Sequence, residues 1–214
     1  MVSYGKSTIL LAVCLSCLAG YVDALAFRSL GGFFVSFMSG NSTRLGVGLA
    51  EGSSGAMLAG RLIATFVLGV ILGALTGRVA RSRRRPAVLG LVSLLLLIAA
   101  GLNSLGAPRW AIGFMALAMG AENAVFERDG EVSIGLTYMT GALVKLGQRI
   151  SAALLGGDRW AWAPYMILWL GLVAGALAGA LVYASYHLAG LWMGAMASLV
   201  LMVVSLRIDR KIVE

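Results

Sequence analysis

Long apolar stretches, separated by short polar ones, fill most of the chain. Several run for roughly 18–22 residues with at most one charge, which is long enough for a helix to cross a hydrocarbon core of about 30 Å. The chain has almost no strand-length runs in which apolar and polar residues alternate, and this argues against a β-barrel. The pattern predicts full-length helices over the ranges 7–27, 56–78, 86–104, 107–126, 161–184 and 187–208.

Two further segments have a different pattern. Residues 31–51 and 132–155 each open with aromatic and β-branched residues, and then reach a hydroxyl–glycine pair. Glycine permits a sharp turn, and Ser39 or Thr140 is well placed to cap a following helix. Each segment is therefore predicted to be an extended stretch that leads into a half-helix.

The chain contains an internal repeat. Residues 37–46 match residues 138–147 in the order aromatic, Met, hydroxyl, Gly, cation, Leu and Gly. Three blocks recur in the same order; the other two align 20–24 with 120–124, and Gly69, Gly73 and Gly77 with Gly171, Gly175 and Gly179. This predicts a duplication with one repeat in residues 1–105 and the other in 106–214, intertwined in a single membrane domain.

The membrane topology depends on whether the segments 31–51 and 132–155, here called the interrupted segments, cross the membrane. If each leaves and returns on one side, each half has three spans and the halves are inverted. The N-terminus, the arginine-rich loop 78–85, the loop 127–131 and the C-terminus then share one side with most of the cations, as expected for the cytoplasm. If the segments cross fully, eight spans and parallel repeats result, with a poorer charge distribution. We prefer the inverted arrangement, which gives an all-α polytopic protein of the bacterial inner membrane with both termini cytoplasmic.

Composition agrees with a bilayer location and narrows the function. Hydrophobic residues make up 60% of the chain and charged residues 12%, with a mean hydropathy of +0.92, so a soluble domain is excluded. The net charge of +8 does not indicate nucleic-acid binding, because the cations collect at segment ends. Cys14 and Cys17 lie within an apolar helix, and the chain has no metal-ligand set or nucleotide loop. We expect no cofactor and no enzyme activity.

A broken element in each of two inverted repeats is a recurring transporter design. A helix that begins near the midplane points unsatisfied N–H groups and the positive end of its dipole into a cavity. Two such starts would favour an anion or a polar carbonyl group. The residues predicted to bind the substrate are Ser39, Gly40, Asn41, Ser42, Thr43, Thr140, Gly141 and Ala142.

Charged and polar residues near these segments form a second candidate set. Asp23 and Glu122 are acids near apolar stretches, and each is predicted either to couple a proton or ion or to pair with Arg44 or Lys145. Asn123 aligns with Asp23 in the repeat. The alternative for the two cations is that they extend to the membrane interface.

Other features indicate packing. Glycines at every fourth position, as in Gly69-Gly73-Gly77, let helices approach closely, either within the chain or across a homodimer. His187 is the only histidine and is predicted to be a polar residue at a helix end. A serine–histidine enzyme would need it to reach Ser39.

The run 20–24, together with 37–46 and 139–147, resembles the YoaK family of small bacterial integral membrane proteins of unknown function. The extended stretch and half-helix in each repeat are similar in architecture to uracil-permease and sulfate-permease transporters, which implies substrate contacts at 39–43 and 140–142. We therefore expect a secondary transporter for a small polar or anionic solute. The alternatives are a channel for a small anion, or a membrane-embedded enzyme or scaffold without transport.

Overall fold

A computed structural model describes residues 5–128 and 131–213, and most of these residues are helical. Each long apolar stretch forms a helix because no water is available to satisfy an open backbone in lipid. The helices in the described ranges are α1 (Lys6–Ser29), α2 (Met38–Ala50), α3 (Ser54–Ala80), α4 (Arg84–Ser104), α5 (Pro108–Glu122), α6 (Met139–Leu154), α7 (Ala163–Tyr186) and α8 (Leu191–Val213).

The predicted long helices and the two predicted half-helices are all present, and the main differences lie at helix ends. α5 stops at Glu122 and continues as a tight 3-10 turn, Asn123–Phe126. Two contacts end it: the Asn123 side-chain amide donates to the carbonyl of Met119 (2.9 Å), and Arg84 Nε donates to the carbonyl of Ala124 (3.1 Å). A two-stranded hairpin follows, with β1 (Glu127–Arg128) antiparallel to β2 (Glu131–Val132).

The last two helices are joined by a turn that the sequence pattern did not separate from α8. α7 runs to Tyr186, and a 3-10 turn, His187–Gly190, precedes α8. His187 has a φ of 50°, a left-handed conformation that ends α7. The predicted helix over 187–208 therefore begins at Leu191 instead.

Three stretches of the described chain are long and apolar enough to cross a membrane. They are Lys6–Ser29, Ser54–Ser104 and Ala163–Ile208. The second stretch contains α3 and α4 and the third contains α7 and α8, each pair joined by a short turn. The structure is thus an all-helical bundle with membrane-spanning helices, apart from the small hairpin.

Glycines bring the helices of the two halves into close contact. A Cβ added at Gly20 of α1 would overlap the carbonyl oxygen of Leu172 in α7. A Cβ at Gly120 of α5 would overlap the carbonyl oxygen of Phe66 in α3. Real Cβ atoms do not approach a carbonyl this closely, so only glycine permits either contact. The predicted use of glycine for close helix packing within the chain is confirmed at these crossings.

These crossings correct the sequence alignment of the third block. A Cβ at Gly69 would contact Leu117, and a Cβ at Gly175 would contact Cys17, which the predicted repeat aligns with Leu117. In the same way Gly73 faces Ala121 and Gly179 faces Tyr21. Gly69 therefore corresponds to Gly175 by its contacts, and not to Gly171 as the sequence suggested.

The same contacts define the helix directions. α1 and α7 run parallel, because residues 13, 17 and 21 face residues 171, 175 and 179 in order. α4 and α8 are antiparallel, since the Trp192 indole donates to the Ser104 hydroxyl and the Ser198 hydroxyl donates to Ser93. An Arg84–Glu127 ion pair of 2.6 Å joins the arginine-rich turn to the hairpin. Segment 31–53 therefore begins and ends at one end of the bundle, and segment 127–162 begins and ends at the opposite end.

Candidate functional site

The first extended segment is held by two side chains, the half-buried Asp23 and the fully buried Asn41. Asp23 Oδ1, in the last two turns of α1, accepts hydrogen bonds from the backbone N–H groups of Val35 (2.7 Å) and Ser36 (2.9 Å). The Asn41 amide donates to the carbonyl of Phe34 (2.7 Å) and accepts from its N–H (3.1 Å). Both side chains satisfy backbone groups that no helix or sheet can satisfy at this depth.

The second extended segment uses different residues at related positions. Asn123 Oδ1 accepts a hydrogen bond from the Thr137 hydroxyl (3.0 Å). In this segment Asn123 therefore has the position that Asp23 has in the first segment, and Thr137 has the position of Ser36. The Ser16 hydroxyl, from α1, donates to the carbonyl of Leu136 (3.3 Å). This segment is therefore held by neutral hydrogen bonds, whereas the first is held by a carboxylate.

The two half-helices begin before the hydroxyl–glycine pairs. α2 starts at Met38 and α6 at Met139, after Phe37 and Tyr138, and neither start has a side-chain cap. The prediction that Ser39 and Thr140 cap these helices was therefore wrong, because both lie inside the first turn. Gly40 serves packing instead, since a Cβ there would lie 2.7 Å from the ring of Phe37.

The starts of α2 and α6 share one cavity of about 280 Å³. Residues 36–39 line it from the first half and residues 137–141 from the second, with Phe66 from the middle of α3. The hydroxyl-bearing residues in its lining are Ser36, Ser39, Thr137 and Thr140. The first turns of the two half-helices therefore face the same cavity.

A larger cavity of about 570 Å³ shares four lining residues with the first: Ser36, Phe37, Thr137 and Met139. It lies against α1 and α7, which contribute Asp23 and Ala180 among others. Three aromatic rings line it: Phe27 and Phe34 lie 5.0 Å apart, and Phe34 and Phe37 lie 5.2 Å apart, edge to face. The central region is thus a hydroxyl-lined cavity next to an aromatic one.

The structure divides the residues that were predicted to bind substrate. Ser39, Thr140 and Gly141 line the shared cavity. Asn41 is fully buried with its amide engaged by Phe34, and the hydroxyls of Ser42 and Thr43 donate to carbonyls of their own helix. Gly40 packs against aromatic rings, and Ala142 is buried beside a third cavity of about 150 Å³.

The charged candidates do not pair with one another in the described ranges. Arg44 lies over the ring of Phe33, 4.8 Å from its centroid, and Lys145 is an exposed residue beside the third cavity. Asp23 lines the aromatic cavity while it binds the loop backbone. Glu122 is fully buried, and neither of its carboxyl oxygens has a hydrogen-bond partner among the described residues.

The aromatic wall was missed by reasoning from the sequence. Phe27, Phe34 and Phe37 line the larger cavity, and Ser36 and Thr137 contribute to both cavities. The sequence held a signal for Ser36 and Thr137, since they precede the aligned residues Phe37 and Tyr138 and occupy matched positions in the predicted repeat.

Comparison with known proteins identifies the family. The family model described as "Protein of unknown function (DUF1275)" matches residues 11–204. A UPF0700 transmembrane protein of Rhizobium meliloti (strain 1021) is 36% identical over 201 residues, which cover 94% of this chain and 87% of the relative. No solved structure matches. The expected membership in a membrane-protein family of unknown function is confirmed: the chain is a membrane protein that belongs to the DUF1275 family.

Proposed function

We propose that this protein is a secondary transporter that moves a small polar or anionic solute across the bacterial inner membrane. The solute binds between the starts of α2 and α6, and the protein does no covalent chemistry on it. One observation carries the proposal: a cavity of about 280 Å³ is lined by the first turns of both half-helices, with Ser39 and Thr140 among its residues.

The chemistry of such a cavity favours negative or carbonyl-bearing groups. The first N–H groups of a helix have no partner within the helix, and the helix dipole adds partial positive charge at the same place. The hydroxyls of Ser39 and Thr140 add donors that rotate to fit the solute. Asn41 and Asp23 support this binding indirectly, because they hold the extended segment in front of α2.

The proposal includes two inverted repeats. Matched glycine crossings support it, because α1 packs on α7 as α5 packs on α3. The two interrupted segments lie at opposite ends of the bundle, as an inverted arrangement of the repeats requires. Repeats of this kind allow a central site to be exposed alternately to either side by rocking one part against another. By the positive-inside rule, the end with Arg81 and Arg83 is cytoplasmic, together with both termini.

Glu122 and Asp23 are proposed as the coupling groups. A fully buried carboxyl without a partner is costly, and such groups mark ion or proton pathways in membrane proteins. Glu122 has this property, and its neighbour Asn123 contacts the cavity residue Thr137. Arg44 and Lys145, each nearly two turns into its half-helix, raise the local positive potential. A homodimer in the bilayer completes the proposal by giving each bundle a rigid partner against which to move.

Transport is tested with the full-length protein reconstituted in liposomes. Uptake of labelled formate, acetate, nitrate and uracil is measured against empty liposomes, with and without a proton gradient. We expect saturable uptake of at least one solute, accelerated by the gradient. Uptake that rises linearly with concentration would indicate a channel, and uptake equal to that of empty liposomes for every solute would contradict transport of this substrate class.

A further inference from the structure

The aromatic cavity is larger than a small inorganic anion needs. Its volume is about 570 Å³, against about 280 Å³ for the cavity between the half-helix starts. A water molecule has a share of roughly 30 Å³ in the liquid. An anion such as nitrate, bound at the half-helix starts, would therefore leave the aromatic cavity unfilled.

The lining of this cavity offers little to a polar solute. Its walls are mainly aromatic rings and the small apolar residues of α1 and α7, such as Ala24, Ala176 and Ala180. Two of its polar members are already engaged, since Asp23 accepts from the loop backbone and Thr137 donates to Asn123, and the other two are Ser36 and the exposed Arg28. A sugar placed here would lose hydrogen bonds to water without replacing them.

An apolar ring fits these walls. The three phenylalanine rings are tilted or edge to face with each other, the geometry that aromatic groups prefer with a further ring. Phe27 is 39% exposed and Phe37 37% exposed, so their ring surfaces are available to a ligand. The two cavities share the wall residues Ser36, Phe37, Thr137 and Met139, so they lie side by side.

We propose that the solute is an organic anion with a compact apolar ring, whose charged group lies at the starts of α2 and α6 and whose ring lies among Phe27, Phe34 and Phe37. This inference rests on the proposed function, since it takes the anionic end of the solute from that site. The inference adds an apolar ring to the solute, a feature that the sequence did not indicate.

The test compares two anions that share a carboxylate and differ by the ring. Binding of benzoate and of formate to the full-length protein in detergent is measured by isothermal titration calorimetry. Transfer of a phenyl ring from water into an apolar cavity predicts a dissociation constant at least about tenfold lower for benzoate than for formate. Equal constants for the two anions would overturn the ring proposal while leaving the anion site intact. If neither anion binds, the proposed function and the ring proposal both fail.

Two variants locate the ring. Ala180→Phe adds a side chain at the cavity wall and should raise the dissociation constant of benzoate about tenfold, with formate unchanged. Ala178→Phe, at an exposed position of the same helix that is outside the cavity lining, is the matched control and should change neither constant. Retained formate binding reports that a variant is folded.

Phe27→Ala provides a second test from α1 and should weaken benzoate binding about fivefold. If both cavity variants bind benzoate as the native protein does, the ring does not lie in this cavity and the proposal is wrong. Octanoate that binds more than ten times as tightly as benzoate would also overturn it, because the cavity would then hold a lipid-like chain.

Discussion

Asp23 Oδ1 lies 2.7 Å from the backbone nitrogen of Val35 and accepts its hydrogen bond. The same oxygen accepts from Ser36, so one carboxylate satisfies two adjacent N–H groups of the extended segment. In the second half Asn123 contacts the matched residue Thr137 through a neutral side chain. An acid that the sequence identified as a coupling candidate therefore also has a structural task, which any mutational test has to separate from coupling.

Replacing Asp23 by alanine should lower the free energy of unfolding by about 2–3 kcal/mol, because two buried N–H groups lose a charged acceptor. Asp23→Asn keeps an acceptor oxygen and should cost about half as much. Denaturant unfolding in mixed micelles measures both. Asn123→Ala, which removes a neutral contact, should cost about 1 kcal/mol. An Asp23→Ala protein as stable as the native one would show that the carboxylate does not hold the segment.

A methyl group at Gly175 should disrupt the α1–α7 contact. The added Cβ would overlap the carbonyl oxygen of Cys17, and backbone on both sides prevents relaxation. We expect Gly175→Ala to destabilise the protein by about 3 kcal/mol. Gly113→Ala is the control, because a Cβ there meets nothing within 4 Å; it should raise stability by up to about 1 kcal/mol. Equal effects of the two substitutions in thermal unfolding would contradict the crossing.

Asn41→Ala should destabilise the protein by about 2 kcal/mol, since the N–H and carbonyl groups of Phe34 lose their partners in a buried position. The loss of transport in the Asn41→Ala variant should result from the loss of folded protein. Ser42→Ala removes only an exposed hydroxyl and should change stability by less than about 0.5 kcal/mol. The measurement is the fraction of monodisperse protein after heating. A stable Asn41→Ala protein that cannot bind solute would return Asn41 to the substrate contacts.

Glu122→Met should stabilise the protein by about 1–2 kcal/mol, because it removes a buried carboxyl without a partner. If Glu122 couples transport, the same variant should still exchange labelled for unlabelled solute but should no longer respond to a proton gradient. Unfolding in micelles and uptake in liposomes check the two parts. A stabilised variant with normal gradient-driven uptake would show that Glu122 has no part in coupling.

Much of the fold was predictable because the bilayer leaves few choices. Helix lengths follow from the apolar stretches, and the repeat identified the two interrupted segments, as α2 and α6 confirm. The register of the glycine stripe was not predictable. Glycines at every fourth position look alike when shifted by one turn, so only contacts such as Gly69 with Leu117 decide the alignment.

The site was only partly predictable. Ser39, Thr140 and Gly141 follow from the repeat and line the shared cavity. The role of Asn41 did not follow, because its amide turns back to the backbone of Phe34 seven residues earlier. Such a contact depends on the path of the loop, which the residue types do not encode locally. The aromatic cavity likewise depends on ring orientation and helix spacing.

The central claim is that solute passes through the cavity between the two half-helix starts. Gly141 lines this cavity, and a Cβ added there meets nothing within 4 Å, so Gly141→Leu adds a large side chain at the cavity lining without a clash at its Cβ. Gly147→Leu makes the same change in the same helix, also in open space but outside the cavity lining. Helix propensity favours leucine equally at both positions.

Initial uptake rates of the two variants in liposomes, normalised to folded protein, test this claim most directly. The account predicts at least a tenfold loss for Gly141→Leu and a native rate for Gly147→Leu. A native rate for Gly141→Leu, or an equal loss in both variants, would contradict transport through this cavity.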